Sequence, residues 1–385
     1  MPDTATSKLD LPVPIVEAFK HRALERCVPV SATIELTLRC NIRCAHCYNF
    51  DRETPYPRAV LGKELTDDEV HRLLDDLRAE GCLYLGLSGG EALLHPSIFS
   101  FVRHAVRNHM SVIVKSNGTT VTPRVAERLA RLGATGVDVS LHGASPESHD
   151  RFTVSPGSFA KSVAGARAAK AAGLRTHLSF SLGTHDAHEV EGMKRIAEEM
   201  GVECGIDPYL TGRYDGRMDP LRFRLGREQV EALYRGPLAE VRREPRSDLS
   251  QAPQCACARS VCGVSSTGIV YPCIGAPVPS GNLREKPFGE IWRTSPELNR
   301  IRALTLGDFV TCKPCPHRAW CRRSSGVVYT NTGQYTGPEP WTCMEAEVLH
   351  ALTNEGVPIP EKSGEVQVQR ATIDRRLPTS PRSSL

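Results

Sequence analysis

The chain has 385 residues, of which 40% are hydrophobic and 24% charged, and its formal net charge is +4. That excess is too small and too evenly spread for a nucleic-acid surface, which concentrates Lys and Arg in one patch, and no run reaches the roughly 18 apolar residues of a membrane span. The opening residues, MPDTATSKLDLPVP, lack the basic start and apolar stretch of a secretion signal, so a cytoplasmic protein is expected; 14 cysteines in that setting point to metal or redox chemistry, because cytosolic thiols are kept reduced.

From residue 31 on, short β-branched runs alternate with longer helical patterns, the signature of parallel βα units and an α/β fold. Strands are predicted from Thr33 to Leu38, Leu83 to Leu87, Ser111 to Lys115, Gly136 to Leu141, Arg175 to Ser181 and Glu203 to Pro208. Thr66 followed by Glu69 reads as a capping box opening an amphipathic helix that Gly81 stops. Thr122-Pro123 opens another, Ser158 to Ala172 forms a third, and Arg227 to Val241 a later one. The pattern then gives way to a stretch rich in Pro, Gly and Cys. The expected organisation is an N-terminal extension (1–30), an α/β domain (31–220), a linker helix region (221–252), a cysteine-rich domain (253–345), and a C-terminal helix with a Ser, Pro and Arg-rich disordered tail (346–385).

Directly after the first strand, Cys40, Cys44 and Cys47 lie on one loop with three and then two residues between them. Three thiolates anchor three irons of a cubane cluster and leave the fourth iron open to a ligand; a zinc site, or three unrelated buried thiols, is the other reading of the triplet, although zinc normally takes four ligands. Ser88-Gly89-Gly90-Glu91 follows the second strand, where two glycines allow backbone to approach a ligand and Glu91 offers an acceptor for an ammonium group. After the third strand come Ser116 and Asn117, and at the end of the fourth Ser140. In barrel-like α/β folds the C-terminal strand ends form the ligand face, so all four candidates fall where a site belongs.

Motifs of these types in this order resemble the radical S-adenosylmethionine superfamily. The resemblance implies a partial (β/α)6 TIM-type barrel, a 4Fe-4S radical cluster on Cys40, Cys44 and Cys47, and S-adenosylmethionine chelating its open iron. It places Gly89, Gly90 and Glu91 at the methionine amino group, Ser116, Asn117 and Ser140 at the ribose and carboxylate, and His46 near the adenine. Ala92 stands where many members have proline.

The C-terminal cysteines, Cys255, Cys257, Cys262, Cys273, Cys312, Cys315, Cys321 and Cys343, carry a second resemblance. Gly268 to Cys273 ends a predicted hairpin, and Cys312-Lys313-Pro314-Cys315 precedes Cys321. This is similar to the SPASM extension, which implies two auxiliary iron-sulfur clusters. Cys312, Cys315, Cys321 and Cys343 would hold the second. Cys255, Cys262 and Cys273 would hold the first, whose fourth family cysteine is here Ser325; Cys257 substituting, an open iron and a two-iron cluster all stay open. A zinc ribbon also fits Cys-x-x-Cys pairs. Cys27, Cys82 and Cys204 belong to no motif and are read as small buried hydrophobes.

The resemblance implies an enzyme that makes a 5'-deoxyadenosyl radical and modifies a peptide or protein, with a reductant such as flavodoxin or ferredoxin. Sulfatase-maturing relatives carry Asp after the cysteine matching Cys273, where this chain has Ile274, which disfavours formylglycine formation. The 30 residues before the core are too few for a winged-helix leader-binding domain, so a separate leader-peptide-binding protein, or direct binding through the C-terminal region, is expected. Two other readings are a small-molecule enzyme acting on a tetrapyrrole or another cofactor precursor, and a non-enzymatic iron-sulfur or zinc-binding protein. The strand-end motifs argue against the last, since a scaffold needs no cofactor pocket.

Overall fold

Apolar side chains occupy every second position of the predicted strands, and the architecture follows from where that face goes. In the computed structural model, which describes residues 15–49, 63–242, 244–246, 255–359 and 366–367, six strands pair in parallel and in chain order. They are β1 (Ser31–Thr37), β2 (Tyr84–Gly89), β3 (Ser111–Ser116), β4 (Gly136–Leu141), β5 (Arg175–Ser181) and β6 (Glu203–Asp207). Register keeps like with like: Ile34 lies beside Leu87, Leu87 beside Val114, Val114 beside Val137, and Val139 beside Leu178. These residues are buried in the helical layer, each contributing about 1.5–3 kcal/mol. The opposite face carries Thr33, Glu35, Ser88, Lys115, Asp138, Ser140, His177 and Ser179 in matching register. A two-faced sheet of this kind is apolar toward its helices and polar toward the space it curves around.

The crossover helices are α2 (Asp67–Ala79), α3 (Ile98–Arg107), α4 (Pro123–Arg131), α5 (Pro146–Thr153), α6 (Ser158–Ala171) and α7 (Val190–Met200), preceded by α1 (Ile15–Glu25), for which no helix was predicted. The predicted caps are present. Glu69 N donates to Thr66 Oγ1 at 3.3 Å while Thr66 N donates to Glu69 Oε2 at 2.8 Å, and Thr122 caps α4 with Pro123 in its first turn. The helix predicted over residues 227–241 is shorter, ending as α8 (Arg227–Arg235), because Gly236-Pro237 interrupts it before a 3-10 turn at Ala239–Val241.

The cysteine-rich region does not stand apart from this sheet. Its hairpin, β7 (Val261–Val264) and β8 (Val270–Tyr271), joins the free edge of β1, with Cys262 in parallel register with Ala32. On the other edge β9 (Val366–Gln367) pairs with β6; apart from these two residues, the tail expected from residue 361 lies outside the described residues. The C-terminal helices are α9 (Phe288–Thr294), α10 (Pro296–Ala303), α11 (Ser325–Thr332) and α12 (Pro340–Asn354). Among the described residues no helix is long and apolar enough to cross a membrane.

Trp292 on α9 locks this region to the start of the chain. Its ring is 2% exposed, its Nε1 donates to Cys27 O at 2.7 Å, and the Arg302 guanidinium stands 4.5 Å from its centroid. Trp292→Ala is expected to cost about 3–5 kcal/mol, measured by denaturant unfolding under reducing conditions; a loss below about 1 kcal/mol would show that α9 is not an anchor.

Candidate functional site

The loop carrying Cys40, Cys44 and Cys47 emerges from β1 and is fixed from three directions. Arg43 N and Ala45 N donate to Thr153 O and Phe152 O at the end of α5, each at 2.9 Å. Arg213, 4% exposed and paired with Asp219 at 2.6 Å, donates to Cys47 O at 3.0 Å and Ala45 O at 3.5 Å. Asn117, at the end of β3, reaches Asn41 Oδ1 at 2.9 Å and Cys40 Sγ at 3.8 Å through Nδ2. His142 Nε2 lies 3.9 Å from Cys44 Sγ.

Glu91 ties this loop to the strand ends. Its carboxylate is 1% exposed and accepts from Ser116 Oγ at 2.9 Å, Asn117 N at 2.8 Å and Leu93 N at 3.1 Å. Burial pushes the carboxyl above its ordinary range, and the three donors offset only part of that rise. Ser116 and Asn117, expected at a cofactor's ribose and carboxylate, are thus already engaged in holding Glu91 and the cysteine loop; Asn117 Oδ1 also accepts from Thr119 N at 2.9 Å. Ser140 sits half-buried on the polar face of β4.

The two glycines have a reason beyond ligand approach. At Gly89 φ is +136°, and a Cβ there would run into the carbonyl oxygen of Thr37; at Gly90 it would meet those of Leu38 and Arg39. Gly90 N and Glu91 N donate to Thr37 O and Arg39 O at 2.7 and 2.8 Å. The β2 end and the start of the cysteine loop therefore run in backbone contact.

His46 lies in an aromatic stack. Its ring is 4.6 Å from Phe152, which is stacked at 3.7 Å on His185, and 4.6 Å from His142 edge-on. Burial, then the neighbouring His185 and Arg213 charges, lower His46 to about 3, so it is neutral throughout the physiological range, and its buried Nδ1 has no hydrogen-bond partner among the described residues. His142 is likewise held well below the usual range by burial and its histidine neighbours. His142 closes the strand-end segment that also carries Ser140, whereas Phe152, His185 and Arg213 carry no local signal in the sequence; topology alone brings those three to the loop.

In the C-terminal region the thiols fall into two groups. Cys255, Cys257 and Cys273 interact with one another and with the hydroxyl of Tyr335, which stands 3.8 Å from Cys255 Sγ; Cys257 N donates to Cys255 Sγ at 3.3 Å. Cys262 is placed elsewhere. It faces the helical side of β7, in register with buried Ala32, and its thiol neighbour is Cys82. The next residue, Gly263, faces the other side, where a Cβ would run into the backbone of Cys273 and Ile274. Strand alternation thus puts Cys262 and Cys273 on opposite faces. Ser325 is buried at the start of α11, where Gly326 lies against Gly275. The other group holds Cys312, Cys315, Cys321 and Cys343: Cys343 feels Cys312 and Cys315, and burial followed by neighbours that include Cys343 pushes Cys321 up to about 11. Arg323 lies among Cys312, Cys321 and Cys255.

Buried thiols that raise one another's pKa are held apart from their ionised form until a cation compensates them. Among the described residues no three His, Cys, Asp or Glu converge on a point for one metal ion, whereas a cluster takes its thiolates on separate irons. Three thiols on the first loop, with sulfur-directed neighbours in Asn117 and His142, fit a cubane with one open iron, and the two C-terminal all-sulfur groups fit further clusters.

Comparison with known proteins bears on this geometry. The radical SAM superfamily model matches residues 34–197, and the SPASM iron-sulfur cluster-binding domain model matches residues 255–316. An AdoMet-dependent heme synthase from Methanosarcina barkeri is 28% identical over 340 residues, covering 80% of this chain and 94% of that protein. A mycofactocin maturase from Mycobacterium ulcerans is 27% identical over 362 residues, covering 89% and 94%. Among solved structures, native anSMEcpe with bound AdoMet superposes with a TM-score of 0.63 at 15% identity, covering 86% of this chain and 98% of that one. SuiB of Streptococcus suis bound to its precursor peptide SuiA gives 0.57 at 13%, covering 79% and 75%. At those identities the structures speak to the fold alone.

Glu91→Ala leaves Ser116 Oγ, Asn117 N and Leu93 N without their acceptor, at about 1–3 kcal/mol for each donor that stays buried and unpaired. Lower stability together with weaker S-adenosylmethionine binding is expected from denaturation and equilibrium binding; unchanged stability would show that the carboxylate serves only the cofactor. Iron analysis separates the two C-terminal readings. Cys257→Ala should lose iron from the first auxiliary group and Cys262→Ala should not, the reverse result restoring Cys262 as a ligand.

Proposed function

Since this chain belongs to the radical S-adenosylmethionine superfamily and carries a SPASM domain, we propose that it modifies a peptide or protein, with Cys40, Cys44 and Cys47 holding the radical cluster. Cys312, Cys315, Cys321 and Cys343 hold one auxiliary cluster, and Cys255, Cys257 and Cys273 the other. S-adenosylmethionine bound on the reduced cluster supplies a 5'-deoxyadenosyl radical, which takes hydrogen from carbon.

The chain's own residues position and shield that chemistry. Glu91, Ser116 and Asn117 fix the loop against the strand ends, where Cys40, Cys44 and Cys47 would hold the cluster. His46, neutral and stacked on Phe152, and His142, neutral and edge-on to His46, would present uncharged rings beside the cluster. Their exclusion of water protects a radical that would otherwise be quenched.

The observation that carries the peptide reading is the charge of that polar face. It presents Glu35, Asp138, Asp207 and Glu203 against Lys115 and Arg175, with Lys115 paired to Asp138 at 3.1 Å and Arg175 to Glu203 at 2.6 Å. Carboxylates accept hydrogen bonds from peptide N–H groups and cationic side chains, while a tetrapyrrole bearing several carboxylates of its own would meet like charge. The relatedness to a mycofactocin maturase agrees with it; the relatedness to heme synthases supports tetrapyrrole chemistry as the second reading. A cytoplasmic setting and a one-electron donor of the flavodoxin or ferredoxin type fit the reduced thiols this chemistry needs.

Anaerobically reconstituted, reduced protein is expected to release 5'-deoxyadenosine, and replacing Cys40, Cys44 and Cys47 together by Ala to abolish it; undiminished release would overturn the loop assignment. Iron should fall by about four per chain in that variant, one cubane's worth. Incubation with candidate peptides and, separately, with carboxylated tetrapyrroles decides the substrate, conversion of the tetrapyrrole alone overturning the peptide reading.

A further inference from the structure

Arg323 follows Cys321 by two residues and lies between the two groups of C-terminal thiols. Its Nη2 donates to Tyr335 O at 3.1 Å and Gly337 O at 2.9 Å, and its guanidinium carbon stands 4.4 Å from the centroid of the Phe309 ring. These contacts fix the group but leave its charge unanswered. Nη1 is buried without a hydrogen-bond partner among the described residues. Phe309 O accepts from Cys312 N at 2.9 Å and the Tyr335 hydroxyl stands 3.8 Å from Cys255 Sγ, so the guanidinium lies between the two sets of thiols and feels Cys312, Cys321 and Cys255. A half-buried cation is stabilised by an anion beside it, and Arg keeps its proton. The ligand sets supply such anions, and those sets are two: Cys255 belongs to one, Cys312 and Cys321 to the other.

We propose that Arg323 is the shared counter-cation of both auxiliary clusters and raises the reduction potential of each. The inference rests on the auxiliary-cluster reading above. Reduction adds one negative charge to a cluster, and a fixed positive charge beside it stabilises the reduced form more than the oxidised one. Potentials of iron-sulfur clusters respond to the net charge, hydrogen bonding and burial around the sulfurs, and Arg323 supplies the first to two clusters from one position. Raised potentials make both clusters better acceptors for an electron leaving a substrate radical.

The test uses full-length protein with Cys40, Cys44 and Cys47 replaced by Ala, so that only auxiliary iron is observed. Each cluster's midpoint potential is then read by electron paramagnetic resonance during a redox titration. Arg323→Gln is expected to shift both midpoints to lower potential by about tenfold or more in the reduction equilibrium, about 59 mV for one electron. Arg323→Lys, which keeps the charge without the planar fork, should recover part of the shift. Arg300→Gln, an exposed residue of α10 paired with Glu297 at 3.1 Å, should move neither midpoint. Unmoved midpoints, or movement of one cluster alone, would overturn the proposal. If Arg323→Gln fails to retain iron, Arg323→Met, which keeps an apolar stem and removes the charge, decides, wild-type midpoints at both clusters overturning the proposal and a downward shift at both supporting it. Absence of iron from the Arg323-intact triple variant would instead overturn the auxiliary-cluster reading, and this inference with it.

Discussion

A single buried carboxylate holds the candidate site together. Glu91 takes one hydrogen bond from the end of β3 through Ser116, another from the Asn117 backbone, and a third from the turn that follows β2. Asn117 then passes the constraint to Asn41 and Cys40 on the neighbouring loop. Strand ends splay unless something joins them, because their last peptide groups have left the ladder. Here the joining group is buried and accepts three hydrogen bonds, an arrangement that stabilises one geometry and penalises any other. The loop bearing Cys40, Cys44 and Cys47 inherits its position from that junction.

The order of strands and helices could be read from the sequence because it depends on local information. Alternation marked β3, β4 and β5 to within a residue, and the Thr66–Glu69 box and Thr122-Pro123 marked two helix starts. The Cys, Gly and Glu motifs were visible because the residues of each are neighbours along the chain. What could not be read was set by contacts between distant segments. Cys262 looked like a ligand because it lies between Cys255 and Cys273, but the pairing of β7 with β1 turns it toward Cys82. Gly89 and Gly90 looked like room for a ligand, and the structure shows that the loop after β1 also requires them. Arg213 is 166 residues from Cys47, whose carbonyl it binds, and no periodicity or spacing predicts such a partner.

The two cysteine-bearing regions are also coupled through the chain itself. Tyr214 N donates to Tyr48 O at 2.8 Å, next to Cys47, and its ring lies 5.0 Å from that of Tyr48; its hydroxyl donates to Ile274 O, next to Cys273. Arg213, its neighbour, holds Cys47 and Ala45. The segment after β6 therefore touches the first cysteine loop and the Cys273 loop at once, and a displacement of either is felt by the other.

That coupling explains why the hairpin sits on the edge of β1. If the C-terminal region were tethered only by a linker, the distance between its sulfurs and the first loop would vary with every fluctuation of the linker. With β7 in register with β1, and Cys273 packed over Gly263 on the polar side, the spacing is set by a strand separation of about 4.8 Å and by Tyr214, both of which are stiff. Radical chemistry rewards stiffness, since a substrate carbon misplaced by about 1 Å can cost roughly a hundredfold in rate. The hairpin next to the first loop is thus an extension of the same sheet that positions the loop, and one core supports both.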